Sequence, residues 1–150
     1  MAEARVLVSD QRPEGGPAVP PLEAIEAVAL HVLAAEGQPE AELSVTLVDD
    51  ARIAQIHVDY MDIPGATDVI SFPLGDPEDP IPILGEVVVS VDTAAREAQE
   101  RGITLQEELL RYVVHGTLHL FGYDDHEPEE YAAMHARQEE LLTEALARLA

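Results

Sequence analysis

The residues best suited to chemistry lie in one stretch, His115-Gly-Thr-Leu-His119-Leu-Phe-Gly-Tyr-Asp-Asp125-His126. His115 and His119 are four apart, so on a helix they share one face with Cβ atoms about 5–6 Å apart, near enough for both rings to reach one divalent ion. Gly122 can end that helix and reverse the chain, which would swing Asp124, Asp125 and His126 back toward the rings. Four of the six histidines, His115, His119, His126 and His135, fall in this C-terminal segment. The competing reading is that the two rings are ordinary core or surface groups. A helix that keeps Leu118, Leu120 and Phe121 for packing while placing two imidazoles on one face forfeits apolar burial unless the rings have polar partners. A metal ion supplies a partner to both.

The elements that must position these side chains follow from periodicity. Arg5-Val-Leu-Val8 reads as a short strand, and the proline- and glycine-rich run from Gln11 to Pro21 as a loop. Leu22, Ile25, Ala29, Val32 and Leu33 recur at helical spacing until Gly37 and Pro39 stop the pattern. Leu43 to Val48 alternates and is rich in β-branched residues, as a strand should be. Asp49 and Asp50 are placed to cap a helix that carries Ile53 and Ile56 inward. Thr67 to Phe72 and Ile83 to Val91 are two further strands, joined by a loop holding Pro73, Pro77, Pro80 and Pro82. Asp92 is placed to cap a short helix to Gly102, and Thr104 with Glu107 forms a capping box for the helix bearing His115 and His119. Pro128 suits the first turn of a last helix, whose Tyr131, Met134, Leu141, Leu142 and Leu149 read as core rather than as a cofactor box.

Composition bounds the rest. At 150 residues the chain fits one domain and can bury a full core without disulfides or structural metal. It has no cysteine, which fits a reducing cytosol and restricts any metal to nitrogen and oxygen ligands. The formal charge of −22 arises from 30 acidic and 8 basic residues, and every basic residue is arginine, whose planar fork suits carboxylate networks and phosphate. Such acidity argues against nonspecific nucleic-acid binding by the whole surface and leaves only a local cationic groove for that role. No apolar run approaches the roughly 18 residues of a membrane span, and Met1-Ala-Glu-Ala-Arg-Val shows no signal pattern. The expectation is a soluble, cytoplasmic protein with no membrane partner.

Three motifs carry a resemblance to a known family: Thr67-Asp-Val-Ile-Ser-Phe-Pro73, Leu84-Gly-Glu-Val-Val-Val-Ser90, and His115 through Asp124. From about Val45 to Met134 the chain resembles the YbeY family of bacterial metal-dependent endoribonucleases that act in ribosomal RNA maturation. The resemblance implies an α+β fold, a single domain over residues 1–150 with an about four-stranded mixed sheet flanked by helices. The metal site would lie on a C-terminal helix and the turn after it. It also implies one zinc ion held by three side chains, a role in trimming small-subunit ribosomal RNA and in ribosome quality control, and the small ribosomal subunit as partner. The family usually has a third histidine six residues beyond the second ligand. That position is Asp125 here, with His126 one step later. The uninterrupted register from Gly122 to Met134 favours Asp125, and the better fit of nitrogen to a borderline metal favours His126. The metal ligands expected are thus His115, His119 and one of Asp125 and His126.

A second departure is Met61 after Tyr60, where the family typically carries an arginine, so charge that would meet a phosphate is missing. His57 stands where the family often has asparagine. It reads as a solvent-exposed helix position, with a cleft-facing proton donor or phosphate contact as the alternative. A zinc with three protein ligands lowers the pKa of bound water toward about 7, which suits phosphodiester and peptide hydrolysis alike. Metalloproteases place a glutamate directly after the first histidine, and Gly116 stands there instead. Asp124 reads equally as an orienting carboxylate and as a turn former. Three functions remain in play: the zinc endoribonuclease, a non-catalytic ribosome-assembly factor with a structural metal, and a metalloprotease-like hydrolase disfavoured by Gly116. Basic ribosomal proteins are a further expected partner, drawn by long-range attraction.

Overall fold

The computed structural model describes residues 5–75 and 83–149. Four strands, β1 (Arg5–Asp10), β2 (Glu42–Val48), β3 (Val69–Pro73) and β4 (Ile83–Ser90), form one sheet in the order β1-β2-β4-β3. β1 pairs parallel to β2 and β2 parallel to β4, whereas β3 runs antiparallel to β4. Five helices complete the order: α1 (Leu22–Ala35), α2 (Asp50–Met61), α3 (Val91–Arg101), α4 (Leu105–Leu120) and α5 (Pro128–Leu149). This is the mixed α+β architecture expected.

The period of two along the strands decides what covers each face. Leu43, Val45 and Leu47 of β2, with Val87 and Val89 of β4, meet buried residues of α1, α4 and α5 in the main core. Val48, Val88 and Ile70 point the other way, and Ile53 and Ile56 of α2 cover them. Each fully buried aliphatic side chain of this kind contributes about 1.5–3 kcal/mol. α4 lies centrally, packed between the sheet, α1, α3 and α5. None of the described helices is long and apolar enough to cross a membrane.

The ends of the elements refine the sequence reading. Asp49 caps α2 as expected, accepting from Arg52 N at 2.8 Å. Asp92 does not cap α3. The helix begins at Val91, two residues earlier than an Asp92 cap would place it, so Ser90 Oγ takes that role and accepts from Thr93 N at 3.2 Å. Asp92 instead accepts from Asp50 N at 2.9 Å, while Asp50 accepts from Ser90 Oγ, Thr93 Oγ1 and Arg96 at 2.7, 2.8 and 2.6 Å. The starts of α2 and α3 are thereby tied together. Thr104 caps α4, accepting from Glu107 N at 3.1 Å, but the Glu107 carboxylate turns to Arg111. β3 starts at Val69 rather than Thr67, because the Asp68 carboxylate accepts from Val69 N at 2.8 Å and bends the entry locally. Pro77, Pro80 and Pro82 of the expected loop lie outside the described residues. On α5, Met134, Leu141 and Leu142 are core, whereas Tyr131 and Leu149 are 54% and 42% exposed. Both belong to the outer margin of a helix whose inner stripe is already filled.

Candidate metal centre

α4 brings the two histidines to the sheet's edge through one close approach. Its buried face carries Leu109, Val113, Gly116 and Leu118. A Cβ on Gly116 would lie 2.6 Å from Val87 Cγ1 and 2.9 Å from Val69 Cγ2, so glycine lets the helix backbone rest on β3 and β4. Ser71 Oγ donates to the Gly116 carbonyl at 2.8 Å and fixes that contact. The position after the first histidine therefore serves packing and offers no base. Gly122, at φ +96°, turns the chain as expected after the helix end at Phe121.

His115 Nε2 and His119 Nε2 lie 3.1 Å apart, and Asp125 Oδ2 lies 3.8 and 3.7 Å from them. The opposite nitrogens are occupied. His115 Nδ1 is 2.7 Å from Gln138 Oε1, and His119 Nδ1 is 3.0 Å from the Tyr123 carbonyl oxygen. Gln138 Nε2 donates to Glu139 at 2.9 Å, which orients Oε1 toward His115. With an oxygen acceptor at each Nδ1, the ring hydrogens sit there, and both Nε2 atoms present lone pairs to each other. Two lone pairs at 3.1 Å repel, and a cation between them removes the repulsion. Around a tetrahedral ion with bonds of about 2.0–2.2 Å, donor atoms lie about 3.3–3.6 Å apart, so the observed triangle fits with small adjustments. Asp125 is 34% exposed and leaves a side of the cluster open.

His126 is placed differently. Its ring is 83% exposed and pairs with Asp124 Oδ1 at 2.9 Å. Asp124 Oδ1 also accepts from the backbone of Asp125 at 2.7 Å and of His126 at 3.2 Å, so this carboxylate builds the turn that delivers Asp125. Asp124, Asp125 and His126 form a second, more exposed group of potential ligands that shares Asp125 with the first.

Two cavities flank the cluster, and His115, Asp125 and Asp68 line both. The larger, about 450 Å³, includes His57, Met61, Ser71, His119 and His126. His57 is half-buried and lines this groove, and its Nδ1 lies 3.0 Å from the Gly65 carbonyl, which leaves Nε2 unengaged by that contact. Met61 lines the same groove. The smaller cavity, about 290 Å³, includes Arg101, Arg111, Tyr112, Tyr131 and His135. There the Glu139 carboxylate raises the Arg111 guanidinium above its ordinary value against the cost of burial, with Glu108 adding to the effect. Burial, reinforced by the charge of Glu108, pushes the Tyr112 phenol well up, so it stays protonated.

Gln138 and Asp68 were not picked out as site residues by the sequence pattern. Gln138 is 23 positions from His115 on another helix, and no local spacing signals the contact.

A family model described as Endoribonuclease YbeY matches residues 20–146. A protein of Mycolicibacterium gilvum named Endoribonuclease YbeY is 47% identical over 118 residues, covering 73% of this chain and 66% of that protein. Its counterpart in Anaeromyxobacter dehalogenans, with the same name, is 42% identical over 136 residues, covering 91% of this chain and 69% of its own length. Against the Mycolicibacterium gilvum and Mycolicibacterium vanbaalenii relatives, the chain spans just under two thirds of their length, 66% and 64%. The solution structure of TM1509 from Thermotoga maritima superposes with a TM-score of 0.67 at 25% identity, covering 96% of this chain and 91% of that one.

Proposed function

This chain belongs to the Endoribonuclease YbeY family, and from that premise we propose that it is a zinc-dependent endoribonuclease acting as one domain in small-subunit ribosomal RNA maturation and ribosome quality control in the cytoplasm. The observation that carries the reading is the pair of Nε2 atoms 3.1 Å apart, both with Nδ1 committed to oxygen acceptors, facing a carboxylate. Two nitrogens and an oxygen on a chain without cysteine suit zinc, and three protein ligands are the number that leaves a catalytic position open. His115, His119 and Asp125 hold the ion. A zinc ion held there supplies Lewis acidity toward a phosphodiester oxygen and toward water.

The chain's own groups do the rest. Gln138 and the Tyr123 carbonyl fix the tautomer and the angle of the two rings, as partners behind metal ligands do. The larger groove receives the RNA strand, and His57, its Nδ1 donated to Gly65, offers Nε2 there to a phosphate oxygen or a proton. Met61 contributes apolar contact where the family's arginine would add charge. Small-subunit ribosomal RNA is the substrate, and basic ribosomal proteins aid docking through attraction to the acidic surface.

Met61 in the groove favours one other reading, a non-catalytic assembly factor in which the same metal is structural. One experiment separates them: a precursor of small-subunit ribosomal RNA incubated with the protein, with and without chelator, beside His115→Ala and His119→Ala. Cleavage that vanishes on chelation, returns with zinc and is absent in both variants is the expected result. A folded, zinc-loaded protein that cuts nothing, and that loses folding stability when zinc is stripped, would give the role to the assembly factor.

A further inference from the structure

Resting on the ribonuclease reading above, we infer that the smaller cavity beside the histidine pair is a nucleobase-binding subsite, with Tyr131 as its stacking platform and the cavity's polar groups reading the edge of the base. Tyr131 lies on the outer margin of α5, where its apolar character predicts core, yet it is 54% exposed. Its ring lies nearly parallel to that of His135, at 11° with centroids 5.8 Å apart, so one aromatic side chain braces the other, and both line the cavity. Base-on-aromatic stacking needs such a braced, accessible face and tolerates any base.

Size and charge choose a base over a phosphate. The cavity's 290 Å³ lies just below the range of about 300–1,000 Å³ typical of drug-sized ligands, which suits one flat ring system. Its cations are already balanced: Arg111 is bonded to Glu107, Glu108 and Glu139, and Arg101 lies 3.6 Å from Glu108. The lining sets the carboxylates of Asp68, Glu108 and Asp125 against these two arginines, so no net positive charge is left for an anion. A neutral ring with donors and acceptors on its edge needs none. Tyr112 adds a second aromatic side chain to the lining of this cavity, and Gln138 adds an amide.

Continuity with the metal centre fixes the register. His115 and Asp125 line this cavity and the larger groove alike, so they stand between the two. A strand lying in the larger groove with a phosphate at the cluster brings an adjacent base to Tyr131.

The test uses zinc-loaded protein and short oligouridylates in which one abasic nucleotide is walked along the strand, with binding read by fluorescence anisotropy and cutting read on a gel. Wild type should bind the intact strand more tightly than the strand with one particular abasic position. Tyr131→Ala should bind the intact strand about 5- to 100-fold more weakly and lose that discrimination, while Tyr131→Phe keeps both. In cleavage, Tyr131→Ala should raise KM with kcat little changed. If Tyr131→Ala binds every strand as wild type does and cleavage persists, the subsite is overturned and the ribonuclease reading stands. Base discrimination lost in Tyr131→Ala but with no cutting by any form would support the subsite and overturn the ribonuclease. Neither binding nor cutting would overturn both.

Discussion

His119 can offer an ion only one nitrogen, because the other donates to the Tyr123 carbonyl, and His115 is constrained in the same way by Gln138. At this scale the distances rank the candidate ligands. Asp125 Oδ2 lies within 3.8 Å of both Nε2 atoms, whereas His126 is engaged with Asp124 and 83% exposed. We expect Asp125→Ala to weaken zinc binding severely and His126→Ala to leave it nearly unchanged, with Gln138→Ala costing about 10- to 100-fold, as measured by competition with a chromophoric chelator. The reverse ranking of Asp125 and His126 would transfer the third position to His126. The histidine pair was legible from a spacing of four. The third position was not, since adjacent residues after a glycine turn differ in direction, and direction is set by the hydrogen bonds of Asp124. Gln138 was illegible for the same kind of reason: its partner is remote in sequence.

α4 reaches its place by the contact of a bare glycine with two valines, and that contact is testable by adding a single carbon. Gly116→Ala puts a methyl group inside the van der Waals distance of Val87 and Val69, so a loss of about 1–3 kcal/mol is expected in urea denaturation, with weaker zinc binding as the histidines move with the helix. A variant as stable as wild type would mean that the valine side chains rotate away without strain. The junction of α2 and α3 offers a pH test. Burial raises the Asp50 pKa, but the bonds from Arg96, Ser90 and Thr93 outweigh it and hold the carboxyl below its ordinary 3.8. A lowered carboxyl contributes stability that is full above its unfolded value and is lost as pH falls through the folded one. Asp50→Asn should therefore cost about 1–2 kcal/mol near pH 7, with the gap to wild type closing as pH drops below about 4. A gap that stays constant into acid would assign the effect to shape rather than charge. Helix existence and strand order of appearance were readable from periodicity, yet the cap of α3 was not. Ser90 and Asp92 are both good capping types, and the choice fell to Ser90 because Asp92 is taken by the backbone of Asp50.

Taken whole, the molecule carries the same sign of charge as its proposed substrate, −22 on 150 residues. Six of the eight arginines, Arg5, Arg12, Arg96, Arg101, Arg111 and Arg137, lie within 4.0 Å of carboxylates, which leaves few cations to displace counterions from RNA. Screening should then help rather than hinder: the rate of association with RNA is expected to rise as salt goes from about 10 to 150 mM and the Debye length shrinks from about 30 to 8 Å. Stopped-flow measurement decides it, and a steep fall in RNA affinity with salt would instead reveal a cationic RNA-binding surface. By itself the sequence determined the four strands, five helices, the histidine pair and the family resemblance, because alternation, helical period and a spacing of four are local properties of the chain. Only the tertiary structure decided that Asp125 rather than His126 approaches the pair, that Gln138 stands behind it, that His57 lines the groove and that Tyr131 stays exposed. Those are relations between elements far apart in sequence, and they exist only once the sheet and helices have packed.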